Sequence, residues 1–200
     1  MRASPTRIGK FFPVFIAVIV FTSACAFAQP ILVDVDSTPY DRQMARIRPV
    51  LASVAGETPD IISLAIVNQW MSRIRRLHYR YSREWQTPSE VMSTKTGDCK
   101  GKAVTMYQAM QLIGATNVRF VIGKHHAGDW FTHAWVQWDT ANGSFVLDPI
   151  FNRRVVRAQE QNPTKYVPLY AYEGVLRYRA VNTILVAEKP LRAVASGNRY

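Results

Sequence analysis

The chain has 200 residues, with 25 Lys+Arg against 14 Asp+Glu and only two cysteines. That length suits one domain with a hydrophobic core of its own, and two cysteines exclude a disulfide-framed scaffold. The first thirty residues differ in character from the rest.

Arg2, Arg7 and Lys10 precede an apolar run over 11–21, and small residues then lead to Ala26-Phe27-Ala28. A basic start, a short apolar stretch and an A-x-A ending predict a signal peptide over 1–28 and a mature domain over 29–200. A retained anchor would use the same uncharged run. Pro13 interrupts that run, however, and a spanning helix wants about 20 predominantly apolar residues. Thr22, three positions before Cys25, makes a poor lipoprotein signal. Cleavage after Ala28 leaves 22 basic and 14 acidic residues, a net charge of +8. Such a charge confers solubility and favours anionic surfaces, while nucleic acid is not an expected partner of an exported chain. Cleavage also removes Cys25, leaving Cys99 alone. A lone thiol in an oxidising compartment signals reactivity or intermolecular pairing.

Residues 29–40 read as an extended lead-in. Met44, Ile47, Leu51 and Val54 predict a helix over 41–54, ended by Gly56. Thr58-Pro59 predicts the start of a second helix, with Ile62, Ile66, Trp70, Ile74, Leu77 and Tyr81 on its apolar face. Arg73, Arg76, Arg80 and Arg83 fall on the other face, which reads as solvated. A loop through Pro88 reaches Gly97-Asp98-Cys99. Ala103, Met106, Tyr107, Met110 and Ile113 then predict a central, buried helix closed by Gly114. Beyond it the period changes to that of strands, over 117–124, 132–138 and 144–150, with a further strand near 179–188. Helices followed by an antiparallel sheet indicate an α+β domain.

Three residues carry candidate chemistry. Asp98 is placed to cap a helix that Cys99 opens, where the helix dipole favours a thiolate and the Cys99 N–H can stabilise an oxyanion. His133 lies mid-strand in Thr132-His133-Ala134-Trp135-Val136, and Asp148 lies in the next strand. The two share a face only if paired positions sum to an odd number. A two-residue turn at Thr140-Ala141 satisfies this and makes them direct cross-strand neighbours. Each residue also has a structural reading: a core cysteine, a packed histidine, and an aspartate ending a strand before proline. Upstream, Gln86 is a candidate second oxyanion donor, while Trp85 reads as core. His125-His126 resembles a metal pair but fits a loop tip better. Tyr166, Tyr170, Tyr172 and Tyr178 read as packing against the sheet or lining a cleft.

Gly97-Asp98-Cys99, Thr132-His133-Ala134-Trp135-Val136 and Leu147-Asp148-Pro149, in that order, resemble the transglutaminase-like superfamily, and most of all its exported bacterial cysteine proteinases. The likeness covers about residues 85–150. It implies a papain-like, transglutaminase-like α+β fold in which the helix bearing the cysteine packs on an antiparallel sheet bearing histidine and aspartate. It further implies Cys99 as nucleophile, His133 as base then acid, and Asp148 as the residue orienting the imidazole, which is the logic of covalent acyl chemistry. Several periplasmic members have Glu-Asp after the cysteine, a feature associated with calcium dependence. Here Lys100-Gly101 stands there, so no calcium requirement by that route is expected, and no metal ligands and no cofactor are assigned. Lys100 or Lys102 instead either favours the thiolate or points into solvent.

The resemblance implies a periplasmic hydrolase of peptide or amide bonds, acting on a protein or a peptidoglycan-type peptide. Acyl transfer to an amine would use the same triad. A non-catalytic peptide or wall-binding module is the alternative from another class.

Overall fold

The computed structural model describes residues 30–53 and 62–181. The signal-peptide segment, the Thr58-Pro59 helix start and everything after 181 lie outside them. Among the described residues, no helix is long and apolar enough to cross a membrane.

Of the helix expected over 41–54, whose Val54 and closing Gly56 lie outside the described residues, the described part forms one α-turn, α1 (Arg48–Leu51), after a run of turns. The apolar face is nevertheless as expected, with Met44, Ile47 and Leu51 buried. The helix α2 (Leu64–Arg75) has its own cap, Ser63, whose hydroxyl accepts the Ala65 N–H at 3.2 Å. Its buried stripe, Val67, Met71 and Ile74, shares Ile74 with the expected one, whose Ile62, Trp70 and Leu77 are partly buried against the core and whose Ile66 is exposed. Both stripes have helical spacing, and packing against the fourth helix selects between them. Nor does α2 run on to Tyr81. After Arg75 the chain leaves the helix and forms a parallel bridge from His78 to Thr96. Arg80 and Arg83 therefore sit in an exposed loop, while Arg73 and Arg76 are exposed on and just after the helix.

The segment expected to be a loop contains α3 (Pro88–Thr94). Thr87 and Glu90 form a reciprocal capping box, and Pro88 occupies the first turn. The T-x-x-E spacing was a legible signal of this helix. The central helix α4 (Cys99–Leu112) starts where expected and is buried on nearly every side.

Among the described residues the sheet has seven antiparallel strands: β1 (Ile31–Asp34), β2 (Val118–His126), β3 (His133–Thr140), β4 (Gly143–Leu147), β5 (Val156–Arg157), β6 (Lys165–Glu173) and β7 (Leu176–Val181), in the order β1-β7-β6-β2-β3-β4-β5. Alternation of side chains divides the sheet. Phe120, Ile122, Ala134, Val136, Phe145 and Leu147 join the helices in the main core. Val121, Trp135, Val146, Tyr166 and Ala171 form a smaller cluster on the opposite face. The expected α+β architecture, a cysteine-bearing helix packed on an antiparallel sheet, is the one observed.

The β3–β4 turn lies one residue later than expected. Thr140 pairs with Gly143 and Gln137 with Val146, so the two turn residues are Ala141 and Asn142. The pair sums remain odd, so His133 and Asp148 keep a common face. They are diagonal neighbours, however, offset by two residues, because Asp148 continues the register opposite Trp135. Gly123 faces His133 across the β2–β3 ladder, at an irregularity in the β2–β6 pairing. A Cβ there would lie 2.2 Å from the Val167 carbonyl oxygen and 2.6 Å from the Trp135 ring. Because the nearest obstacle is backbone, Gly123→Ala should destabilise the fold by about 3 kcal/mol, read as a lowered urea midpoint with unchanged slope.

Candidate active site

Asp98 caps α4, its Oδ1 accepting the Gly101 N–H at 3.0 Å. Its other oxygen accepts the Ser82 N–H at 3.3 Å and pairs with the Lys100 ammonium. Lys100 also donates to the Ser82 carbonyl at 3.1 Å and lies over the rings of Tyr81 and Trp85. Lys102 is buried, donating to the carbonyls of Leu77 at 2.7 Å and Arg75 at 3.3 Å. There it closes the C-terminal end of α2, where cations are favoured. Burial, then the nearby Arg75 charge, lowers its pKa, with Asp148 opposing. Neither lysine points into solvent, since both tie the start of α4 to the segment before it.

His133 opens β3 and is 8 % exposed, while Asp148, just beyond β4, has no exposed surface. His133 Nε2 lies 2.8 Å from Asp148 Oδ2. That leaves Nδ1 as the imidazole nitrogen free to face Cys99. Asp148 is held by two further donors, the Tyr166 hydroxyl at 3.0 Å on Oδ2 and the Ile150 N–H at 2.8 Å on Oδ1. Burial alone would lower the His133 pKa. Hydrogen bonds to Asp148 and then Cys99, with the charges of both, reverse this and push it up to about 9. Tyr166 also holds its proton more firmly: burial and the Asp148 charge keep its hydroxyl far above the usual phenol range.

Cys99 and His133 line one cleft of about 490 Å³, together with Tyr79, Trp130, Phe131 and Phe151. Gln86 packs against the first turn of α4: a Cβ on Gly101 would come within 3.2 Å of its Oε1. That oxygen is buried and has no partner among the described residues. Trp85 is core, as expected.

His125 and His126 are not a loop tip, since both belong to β2. His125 stacks on Phe151, with centroids 3.8 Å apart, and its ring lies 5.9 Å from that of His133. Its pKa is lowered by burial and by the neighbouring histidines. Among the described residues no group of three or more His, Cys, Asp or Glu side chains is arranged to hold a metal.

Sequence reasoning missed the specific part played by Tyr166. Its backbone is left-handed at φ 53°, an unusual conformation for a bulky residue, and its hydroxyl reaches Asp148 across strands far apart in sequence. Trp130-Phe131, immediately before Thr132-His133, was a legible signal of an aromatic rim that the reading passed over.

The raised imidazole has a measurable consequence. Because its folded value lies above the 6.5 of a free histidine, the stabilisation from protonated His133 is complete below about pH 6.5 and is lost as pH rises through about 9. Urea unfolding should show stability falling across that window in the wild type, and His133→Gln should flatten the fall. By NMR titration, Asp148→Asn should bring the His133 pKa down further than Cys99→Ala does.

Comparison with known proteins agrees with this architecture. No curated protein is significantly similar in sequence. LapG of Legionella pneumophila, EGTA-treated, superposes with a TM-score of 0.51 at 14% identity, covering 73% of this chain and 80% of that chain. A second LapG structure gives 0.50 at 13% identity, covering 75% and 84%. At such identity the likeness is one of fold. The model of the transglutaminase-like superfamily matches residues 49–149, from α1 through Cys99 and His133 to just beyond Asp148, and the chain belongs to that superfamily.

Proposed function

We propose that this chain is a cysteine-dependent hydrolase that cleaves a peptide or amide bond through a thioester acyl-enzyme. The observation that carries the reading is the sharing of one cleft by Cys99 and His133, with buried Asp148 holding the far side of the imidazole. Cys99 Sγ attacks the substrate carbonyl, and the resulting oxyanion meets the Cys99 N–H. The Asp98 cap takes the Gly101 N–H, two residues further on, and leaves the cysteine's own N–H uncommitted among the described residues. The side-chain amide nitrogen of Gln86, which packs at the same end of α4, is the second donor this reading assigns. His133 gives its Nδ1 proton to the leaving amine as the C–N bond breaks. It then takes a proton from water as water attacks the thioester; the C–S bond breaks, releasing the acid and restoring the thiolate–imidazolium pair. Asp148 fixes the ring through Nε2 and stabilises the imidazolium.

The signal-like segment at 1–28 supports export, and we place the mature chain in the periplasm. A protein or a wall peptide is the substrate class.

The test is turnover of an unfolded polypeptide, such as reduced casein, by residues 29–200, with new termini counted by mass spectrometry and a fluorescent amine present as competing acceptor. Cys99→Ala and His133→Ala should each reduce turnover by at least about 10³-fold, and the double variant should be no slower, because the two act as a unit. Cleavage that persists in Cys99→Ala would sink the reading. Amine incorporation in place of new termini would make the enzyme an acyl transferase on the same residues.

A further inference from the structure

The β2–β3 connection holds two large aromatic side chains in water. Trp130 and Phe131 are 96% and 87% exposed. Burial of either would be favourable, and adjacent exposed aromatics beside a cleft mark an interaction surface.

The turn that presents them is firmly built. Asp129 donates its N–H to the His126 carbonyl at 3.0 Å, and its carboxylate accepts the His126 N–H at 2.8 Å. The Asp129 carbonyl accepts the Lys124 ammonium at 2.6 Å, and the Ala127 N–H donates to the Thr164 carbonyl at 2.7 Å. These bonds hold the backbone from which the two rings project.

Both rings belong to the cleft that contains Cys99 and His133, which Tyr79, Ile150 and Phe151 also line. Phe151 is itself held in place by its stack on His125. The cleft offers few polar groups to a ligand. One oxygen of Asp129 is taken by its own turn, and the other polar side chains on the lining are Tyr79 and Thr132 beside the reacting pair. A glycan would need hydrogen-bond partners for its hydroxyls, and these walls supply few. Wall stem peptides, with their small and charged side chains, would gain little from three or four aromatic rings. A bulky apolar side chain on an extended polypeptide gains most, because its burial covers both itself and the rim. The volume, about 490 Å³, is that of an ordinary ligand cleft.

We propose that Trp130 and Phe131 are the specificity wall of the Cys99 cleft, receiving a large apolar side chain next to the scissile bond of a protein substrate. This rests on the hydrolase reading.

The experiment is cleavage-site profiling on a Glu-C digest of a bacterial proteome, with a synthetic alanine-rich wall stem peptide alongside. Iodoacetamide alkylation of Cys99, followed by intact mass, runs in parallel. The wild type should enrich Phe, Leu, Ile, Met or Trp at one position flanking the cut. Trp130→Ala/Phe131→Ala should lose that enrichment and cut such peptides about tenfold more slowly, while its Cys99 alkylates at the wild-type rate. Cleavage without apolar enrichment, an unchanged profile in the double variant, or preference for the stem peptide overturns the inference and leaves the hydrolase reading standing. Absence of Cys99-dependent cleavage in the wild type overturns both.

Discussion

Asp148 is wholly enclosed, and a carboxyl group in that position is tolerable only while its oxygens are hydrogen-bonded. Three groups meet that demand: His133 Nε2, the Tyr166 hydroxyl and the Ile150 N–H. They come from β3, from β6 and from the segment after β4, so satisfying one buried group ties together three parts of the sheet. Tyr166 adopts a left-handed backbone in the process. Strain of about 1–3 kcal/mol at such a residue persists only where the surroundings over-determine it. Here a buried acceptor and a packed ring provide that constraint. The imidazole is consequently fixed in orientation, with Nδ1 left for the cleft and its proton held more firmly than in a free histidine.

The helix that carries Cys99 is anchored by a different set of contacts. Asp98 caps it, Lys100 neutralises the cap and reaches the Ser82 carbonyl, and Lys102 crosses to the Arg75 carbonyl at the end of α2 and to that of Leu77 just beyond it. The first turn of α4 is therefore joined to the segment bearing Tyr79, which forms one wall of the cleft. The proposed nucleophile and its proposed base sit on separate rigid bodies, a buried helix and a sheet, whose packing sets their separation. This arrangement suits chemistry that depends on fixed geometry between two groups.

The sheet's two faces have different tasks. One closes the main core under the helices, and the other carries the smaller cluster around Trp135 and Tyr166. His133, at the first position of β3, shares the parity of Trp135, whose ring lies roughly parallel to its own. Gly123 opposite leaves room for the Val167 backbone and the Trp135 ring to approach. A side chain there would displace the neighbours of the histidine before it touched the histidine itself.

Much of this was legible in the chain because it depends on local spacing. The Asp98 cap, the start and burial of α4, the strands around His133 and Asp148, and the odd parity that puts those two on one face all follow from periods and turn chemistry within short stretches. The sequence also determined that Cys99 and His133 come from a helix start and a strand, since both contexts are local. Other features were settled only by packing. The apolar stripe that α2 buries, its early end under Lys102, and the one-residue shift of the β3–β4 turn depend on partners distant in sequence. So do the strand β6, which contains Pro168, and the contact from Tyr166 to Asp148. These choices lie between alternatives of similar local energy, two stripes of helical spacing or two turns of equal length, and local propensity cannot separate them. Burial against the rest of the fold can, because each loses its stabilisation if the wrong face or register is chosen.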